Sequence, residues 1–274
     1  MKKTIVVTGA NSGIGKSLVE ELASKGHNVI LVSRDSEKTT TVYENIKQKY
    51  GKNCVSLITA DLSNPKDVGI LIEELSNLKD QIDVLINNAG LLRLKKSISV
   101  EDIEMTMSVN YLSVYRLVMG LINNDKMPKR MINITSELFK KGDLNFEDMF
   151  NPKKYNGSKA YSDSKMANLA FSGTLYKNHK EMLEVIGMHP GVVATDASRD
   201  YPKWVIKLMN KLLEKPESAA SKIIEVALSD DIKNGYYYNQ SMPKEKISTY
   251  INDEISEKLF EISKQYLIGA GGEK

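Results

Sequence analysis

The chain has 274 residues, with 38 Lys plus Arg, 35 Asp plus Glu and a formal net charge of +3. Hydrophobic residues make up 41% of it, enough for a sizeable core and far from a disordered composition. The near-neutral charge balance speaks against a nucleic-acid partner, and the one cysteine, Cys54, rules out an intrachain disulfide or a cysteine metal site.

No run approaches the roughly 18 apolar residues of a membrane span, and Ile5-Val6-Val7 behind Lys2-Lys3 is too short for a signal-peptide core. A soluble, cytoplasmic protein is expected. The stretch from Gly269 to Lys274 reads as a frayed tail rather than a lipidation signal.

In chain order the pattern predicts a strand over Thr4–Thr8, a helix over Ile14–Lys25, a strand over Asn28–Val32 and a polar helix over Ser36–Tyr50. A strand over Cys54–Thr59 follows, then a helix over Pro65–Leu78, with Pro65 suited to a first turn. Next come a strand over Asp83–Ile86, a long helix over Glu101–Asn124 and a strand over Arg130–Thr135. The remainder predicts a helix over Ser158–His179, a strand over Leu183–Met188, a helix over Glu217–Leu228, a strand over Gly235–Asn239 and a closing helix over Asp253–Tyr266. Wholly apolar strands separated by helices argue for one doubly wound, parallel α/β sheet of Rossmann type, helices on both faces, as a single domain over residues 1–274. Two long connections, 137–157 and 196–215, follow strands and are where such a sheet builds ligand loops.

The first strand runs into Thr8-Gly9-Ala10-Asn11-Ser12-Gly13-Ile14-Gly15 and then a helix. Glycines at these positions let the backbone turn tightly and approach a pyrophosphate, and the helix N-terminus beyond offers free N–H groups. An ATP-type loop does not fit, because its spacing would need a glycine at Ala10.

The run Thr8 to Gly15 resembles the cofactor motif of the short-chain dehydrogenase/reductase family. Further matches follow in order: Asp61-Leu62, Asn87-Asn88-Ala89-Gly90, Asn110, Ser136, Tyr161-x-x-x-Lys165 and Pro190-Gly191 with Thr195. The stretch from Ala160 to Asn168, His189-Pro190-Gly191 and the spacing of about 25 residues from Ser136 to Tyr161 are similar to the retinol-dehydrogenase-like subgroup. Members of that subgroup often carry an N-terminal membrane anchor, which is not expected here. The resemblance implies a dinucleotide over Gly9, Asn11, Ser12, Gly13, Ile14 and Gly15. It puts Asp61 and Leu62 beside the adenine, Asn88, Ala89 and Gly90 along the adenosine ribose side, and Val193 and Thr195 at the carboxamide end.

The choice between NADP(H) and NAD(H) turns on the second strand's end, Val32-Ser33-Arg34-Asp35. By resemblance the discriminating position is Ser33, which is neutral, and the Arg34 guanidinium beside it can clamp a 2′-phosphate. Asp35 is the rival, since a carboxylate there suits a ribose 2′-hydroxyl; it can equally cap the following helix. NADP(H) is the preferred cofactor and NAD(H) the alternative.

A free tyrosine, with a pKa of about 10, is a poor source of phenolate at neutral pH, and a nearby ammonium lowers that pKa. Tyr161 and Lys165 are four apart, so a helix puts them on one face. The resemblance implies that Tyr161 is the acid/base, that Lys165 lowers its pKa and binds the nicotinamide ribose, that Ser136 holds the substrate oxygen and that Asn110 holds a relay water. Tyr155-x-x-x-Lys159 repeats the spacing, but Gly157 inside it disfavours a helix, so Tyr155 is read as part of the pocket rim.

His27 and His179 are read as solvated, His189 as a packed loop residue, and Cys54 as a small buried hydrophobe. No cluster has metal spacing. The segment after Gly90, Leu138, Phe139 and Tyr201 to Trp204 would wall an apolar pocket. These readings converge on an oxidoreductase that interconverts a carbonyl and an alcohol on a small hydrophobic substrate, possible as a homo-oligomer. A non-catalytic NADP(H)-binding redox sensor and a structural subunit of a larger complex remain as alternatives.

Overall fold

The computed structural model describes residues 1–193 and 213–266. Its strands are β1 (Thr4–Thr8), β2 (Asn28–Ser33), β3 (Val55–Thr59), β4 (Val84–Asn87), β5 (Arg130–Ile134), β6 (Glu184–His189), β7 (Tyr236–Asn239) and β8 (Met242–Lys246). They form one sheet in the order β3-β2-β1-β4-β5-β6-β7-β8, parallel except where β8 runs antiparallel to β7.

Alternation along the strands splits the core in two. Val6, Ile30, Leu85, Met131 and Val185 face one cluster, whereas Ile5, Leu31, Ile86, Ile132 and Ile186 face the other. Helices α1 (Gly13–Ser24) and α2 (Glu37–Tyr50) cover the second face, joined by α7 (Pro216–Leu228). The first face is covered by α3 (Pro65–Ser76), α4 (Met105–Met107), α5 (Ser113–Asn123), α6 (Gly157–His179), α8 (Ile247–Tyr250) and α9 (Asp253–Lys264). This is the doubly wound arrangement expected from the sequence.

Several boundaries move for identifiable reasons. The long helix does not begin at Glu101. Asp102 sits at φ 60° in the left-handed region, and the Glu104 carboxylate accepts from Met107 N at 2.9 Å, so the helix starts after that cap. A π-helical turn, Ser108–Leu112, then separates α4 from α5. The connection 137–157 contains a 3₁₀ helix, Glu137–Lys141. Strand β8 and helix α8 escape sequence reading because Met-Pro-Lys-Glu-Lys is an exposed edge strand with no apolar face, its lysines guarding the edge. His27 is not solvated but buried, its Nδ1 accepting from Lys3 N at 3.2 Å, and Cys54 is half-buried just ahead of β3.

Helix α9 closes the face of α5 and α6. Tyr111 and Ser263 share a hydroxyl hydrogen bond at 2.6 Å, and Phe260 packs its ring against Tyr115 and Phe171. Arg116, 1% exposed, meets both Glu101 oxygens at 2.6 Å and donates to the Tyr266 carbonyl at 2.9 Å, so its buried charge is fully answered. Leu259 is completely buried on this helix. Leu259→Ala should lower the unfolding free energy by about 2–5 kcal/mol. Urea titration reads this directly, and a loss under about 1 kcal/mol would show that α9 lies outside the cooperative core.

Candidate active site

Strand order reverses between β1 and β4: the chain runs outward to β2 and β3 on one side and to β5, β6 and β7 on the other. Open α/β sheets bind ligands at the carboxyl ends of strands flanking such a switch point, and the predicted motifs gather there.

The glycine loop is clasped to the end of β4. Thr8 Oγ1 accepts from the backbone N–H groups of Asn88 and Ala89, both at 3.1 Å, and Asn88 Nδ2 donates to the carbonyls of Thr8 at 2.9 Å and Gly9 at 3.3 Å. Gly9 has φ +66°, and a Cβ there would stand 2.8 Å from Ala89 Cα; at Gly15 a Cβ would stand 2.2 Å from the Gly9 carbonyl oxygen. Ser12 occupies the N-cap of α1 without a side-chain cap bond, so no side chain fills the first-turn amides that a phosphate would meet. These features fit a dinucleotide pyrophosphate held by Gly13, Ile14 and Gly15.

At the end of β2, Ser33 is buried and Arg34 and Asp35 are exposed. Asp35 does not cap α2. Ser36 does, its Oγ accepting from Thr39 N at 3.1 Å. The Asn11 side chain donates to Thr39 Oγ1 at 2.9 Å. Lys16 and Lys38 line the cleft with Asn11, Ser12 and Gly13. Sequence reading did not assign these lysines to the cofactor, since only their neighbourhood with the loop marks them.

The residues expected on the adenine side, Asp61 and Leu62, follow the end of β3. The Asp61 carboxylate turns back to accept from Ser63 N at 2.9 Å and Ser63 Oγ at 2.8 Å, while Leu62 is buried in the core. Gly90 stands beside the catalytic helix: a Cβ on it would be 3.3 Å from Lys165 Nζ and 3.5 Å from Asn110 Oδ1. Val193 is half-buried and pairs with Glu214 in a short parallel bridge. Thr195 and Tyr201 to Trp204 lie outside the described residues.

The expected catalytic residues come together. Helix α6 carries Tyr161 and Lys165 one turn apart, with Lys165 Nζ 5.6 Å from the Tyr161 ring centroid. Ser136 follows β5 and lies close enough to the Tyr161 hydroxyl to act on its pKa. Lys165 is 3% exposed, and its ammonium donates to the Ile134 carbonyl at 2.8 Å. Burial lowers its pKa to about 8. Tyr161 moves opposite to the expectation from Lys165: burial raises its pKa above the ordinary phenol value, and Ser136 only partly offsets this.

Asn110 lies in the π-helical turn, and its side chain acts as a brace. Oδ1 accepts from Leu91 N at 2.8 Å, and Nδ2 donates to the Leu91 carbonyl at 2.9 Å and to Ser164 Oγ at 3.0 Å. Its own carbonyl accepts from Asn168 Nδ2 at 2.6 Å. Asn110 thereby ties the Leu91 segment to α6. Ser164 and Asn168 complete this brace. Only their spacing from Tyr161, three and seven residues along one helix, hinted at it.

Tyr155 is set apart for a reason other than the one expected. Gly157 opens α6 rather than breaking it, a Cβ there being 2.1 Å from the Arg93 carbonyl oxygen. Tyr155 precedes the Asn156 N-cap and donates from its hydroxyl to that same carbonyl at 2.7 Å. Its would-be partner Lys159 binds Asp163 at 2.7 Å instead. Leu138 is exposed, but Phe139 is a core residue packed on Tyr237 and Tyr250, so it walls no pocket. His189 is buried at the end of β6, as a packed residue should be. Glu137 was missed. It accepts from Tyr237, from Asn239 Nδ2 at 3.2 Å and from Lys140 Nζ at 2.5 Å, which pins the turn carrying Ser136 to β7.

Among the described residues no group of His, Cys, Asp and Glu could hold a metal, and no helix is long and apolar enough to cross a membrane. The family model described as short chain dehydrogenase matches residues 3–206. The chain is 30% identical to human retinol dehydrogenase 11 over 268 residues, covering 95% of this chain and 84% of that protein. Human retinol dehydrogenase 13 is 30% identical over 272 residues, with coverage of 94% and 82%. Among solved structures, a putative uncharacterized protein from Mycobacterium paratuberculosis superposes with a TM-score of 0.78 at 24% identity, over 97% of this chain and 93% of that one. A putative short chain dehydrogenase from Escherichia coli CFT073 complexed with NADPH gives 0.69 at 21% identity, over 88% and 97%. At these identities the two structures establish the fold.

Burial of Lys165 has a pH signature. Its folded pKa, about 8, lies below the ordinary 10.5, so between these values the unfolded chain binds more protons and stability rises with pH. The unfolding free energy of the wild type minus that of Lys165→Met should climb from about pH 8 to about pH 10.5. Denaturant titrations across this range test it; a flat difference means that the amine is solvated.

Proposed function

The chain belongs to the short-chain dehydrogenase family, as an NAD(P)-dependent dehydrogenase acting on CH–OH groups, and from that premise we propose that it reduces an apolar ketone or aldehyde with NADPH, Tyr161 supplying the proton. The observation that carries this reading is the convergence of Ser136, Tyr161 and Lys165 on one point beside Gly90, which follows the Asn88-Ala89 pair that clasps the glycine loop. The raised pKa of Tyr161 keeps its hydroxyl protonated through the neutral range, the form needed to protonate an alkoxide.

A nicotinamide held here would supply the hydride that reduces the carbonyl carbon. Ser136 donates a hydrogen bond to the substrate oxygen as negative charge grows there. Tyr161 passes its hydroxyl proton to that oxygen. The Lys165 ammonium, close to the ring and poorly solvated, favours the phenolate left behind. Asn110, Ser164 and Asn168 keep α6 and the Leu91 segment in register, so these groups meet the substrate without rearrangement.

Preference for NADPH is supported by the neutral Ser33, by the exposed Arg34 and by Lys16 and Lys38 around the same cleft, and matches the ligand of the Escherichia coli relative in fold. An apolar substrate is supported by Leu91, Leu92 and Leu138 near the site and by relatives named for an alcohol, retinol.

Turnover of NADPH with a panel of aldehydes, ketones and quinones tests the activity; tight cofactor binding without turnover on any carbonyl would instead favour a sensor. Tyr161→Phe should abolish turnover while leaving NADPH affinity nearly unchanged, and Tyr155→Phe should remain active. Full activity in Tyr161→Phe would overturn the site. Arg34→Ala should weaken NADPH binding about 10–100-fold and leave NADH almost unaffected. Equal losses for both cofactors in calorimetric titration would move the assignment to Asp35.

A further inference from the structure

We propose that Thr39 is a positioning residue that sets the separation between the phosphate loop and the 2′-phosphate corner, and thereby selects NADPH over NADH. The inference rests on the NADPH reading above and concerns a residue outside the family motifs.

Thr39 is fully buried in the first turn of α2. Its hydroxyl oxygen lies 2.7 Å from the Arg34 carbonyl, 2.9 Å from Asn11 Nδ2 and 2.8 Å from Ser36 Oγ. A hydroxyl has one proton and two lone pairs. The carbonyl can only accept, so the Thr39 proton goes to Arg34. The Asn11 amide donates to one lone pair, and the Ser36 hydroxyl must donate to the other. Every capacity of the group is therefore used, and its orientation is unique.

The three partners belong to different parts of the site. Asn11 is in the glycine loop. Arg34 begins the turn beyond β2. Ser36 caps α2 and receives the Thr39 N–H at 3.1 Å. Thr39 stands at the third helical position, where a capping box would carry Glu or Gln reaching back to its cap. Here the side chain reaches past the cap and fastens the loop to the Arg34 backbone. Arg34 has an exposed side chain, so the fixed carbonyl determines where its guanidinium starts from.

A dinucleotide with a 2′-phosphate carries two anionic groups joined through one ribose. Their separation varies little, so the loop amides and Arg34 must be presented at a matching distance. A cofactor lacking that phosphate engages one end only and is insensitive to the distance. Loss of the staple should therefore penalise the two cofactors unequally, which a brace needed only for folding would not do.

The experiment is calorimetric titration of NADPH and NADH, with steady-state kinetics, on the full chain and on Thr39→Val, Thr39→Ser and Ser36→Ala. Valine keeps the shape and removes the hydroxyl. Thr39→Val should weaken NADPH about tenfold and NADH less than about threefold. The KM for NADPH should rise in step, with kcat at saturating NADPH moving less than about twofold. Thr39→Ser should restore the discrimination. Ser36→Ala should lower the melting temperature and cost less discrimination than Thr39→Val, because the Thr39 bonds to Asn11 and Arg34 remain. In an Arg34→Ala background, Thr39→Val should cost both cofactors equally, because the residue through which it acts has gone. If Thr39→Val does not fold, Thr39→Ala removes the same hydroxyl without a methyl against the Arg34 carbonyl and carries the same expectation. Equal losses for both cofactors in Thr39→Val, or no rescue by serine, overturn the staple. A wild-type chain that binds both cofactors equally overturns the NADPH reading and this inference together. A preference that depends on Arg34 but survives Thr39→Val overturns this inference alone.

Discussion

Two backbone segments approach each other without side chains between them, and the rest of the site depends on that contact. Gly15 touches the Gly9 carbonyl, and Gly9 faces the Ala89 backbone. Thr8 and Asn88 lock the approach with hydrogen bonds between β1 and the end of β4. Packing this tight excludes any Cβ, so glycine there is a geometric requirement. The N-terminus of α1 is thereby brought over the crevice with no side-chain cap.

From this edge the site is built outward by braces. Asn110 joins the segment beyond Gly90 to α6 through Leu91, Ser164 and Asn168, and the π-helical turn places it where all three are in reach. Glu137 fastens the turn carrying Ser136 to β7. Thr39 joins the glycine loop to the turn beyond β2. In each case a polar side chain, fully buried at Asn110 and Thr39 and half-buried at Glu137, reconciles backbone segments that local structure would leave independent, and the reacting groups inherit its precision.

The electrostatics follow from enclosure. An ammonium buried at Lys165 is held less firmly than one in water, and a phenol buried at Tyr161 gives up its proton less readily. Both shifts share one cause, loss of solvent. Bringing the groups together opposes that cost, because the charge that forms on Tyr161 as its proton leaves is met by the charge already on Lys165.

Much was legible in the sequence. Apolar strands separated by helices specify a parallel sheet covered on both faces, because such strands have no other way to be buried. The glycine spacing and Tyr161-x-x-x-Lys165 mark chemistry because backbone conformation and helical period turn short sequence distances into spatial ones. Tertiary structure decided the remainder. Nothing local reveals that Asp102 and Glu104 delay a helix, that Phe139 points into the core, that Gly90 faces Lys165, or that Asn110 bonds Leu91 and Ser164. The direction of the Tyr161 shift was also hidden, since solvent exclusion comes from elements distant in sequence. Spacing along one helix or strand can be read from residue types alone. Burial and hydrogen-bond partnership depend on what the fold brings from elsewhere, so they belong to the assembled molecule.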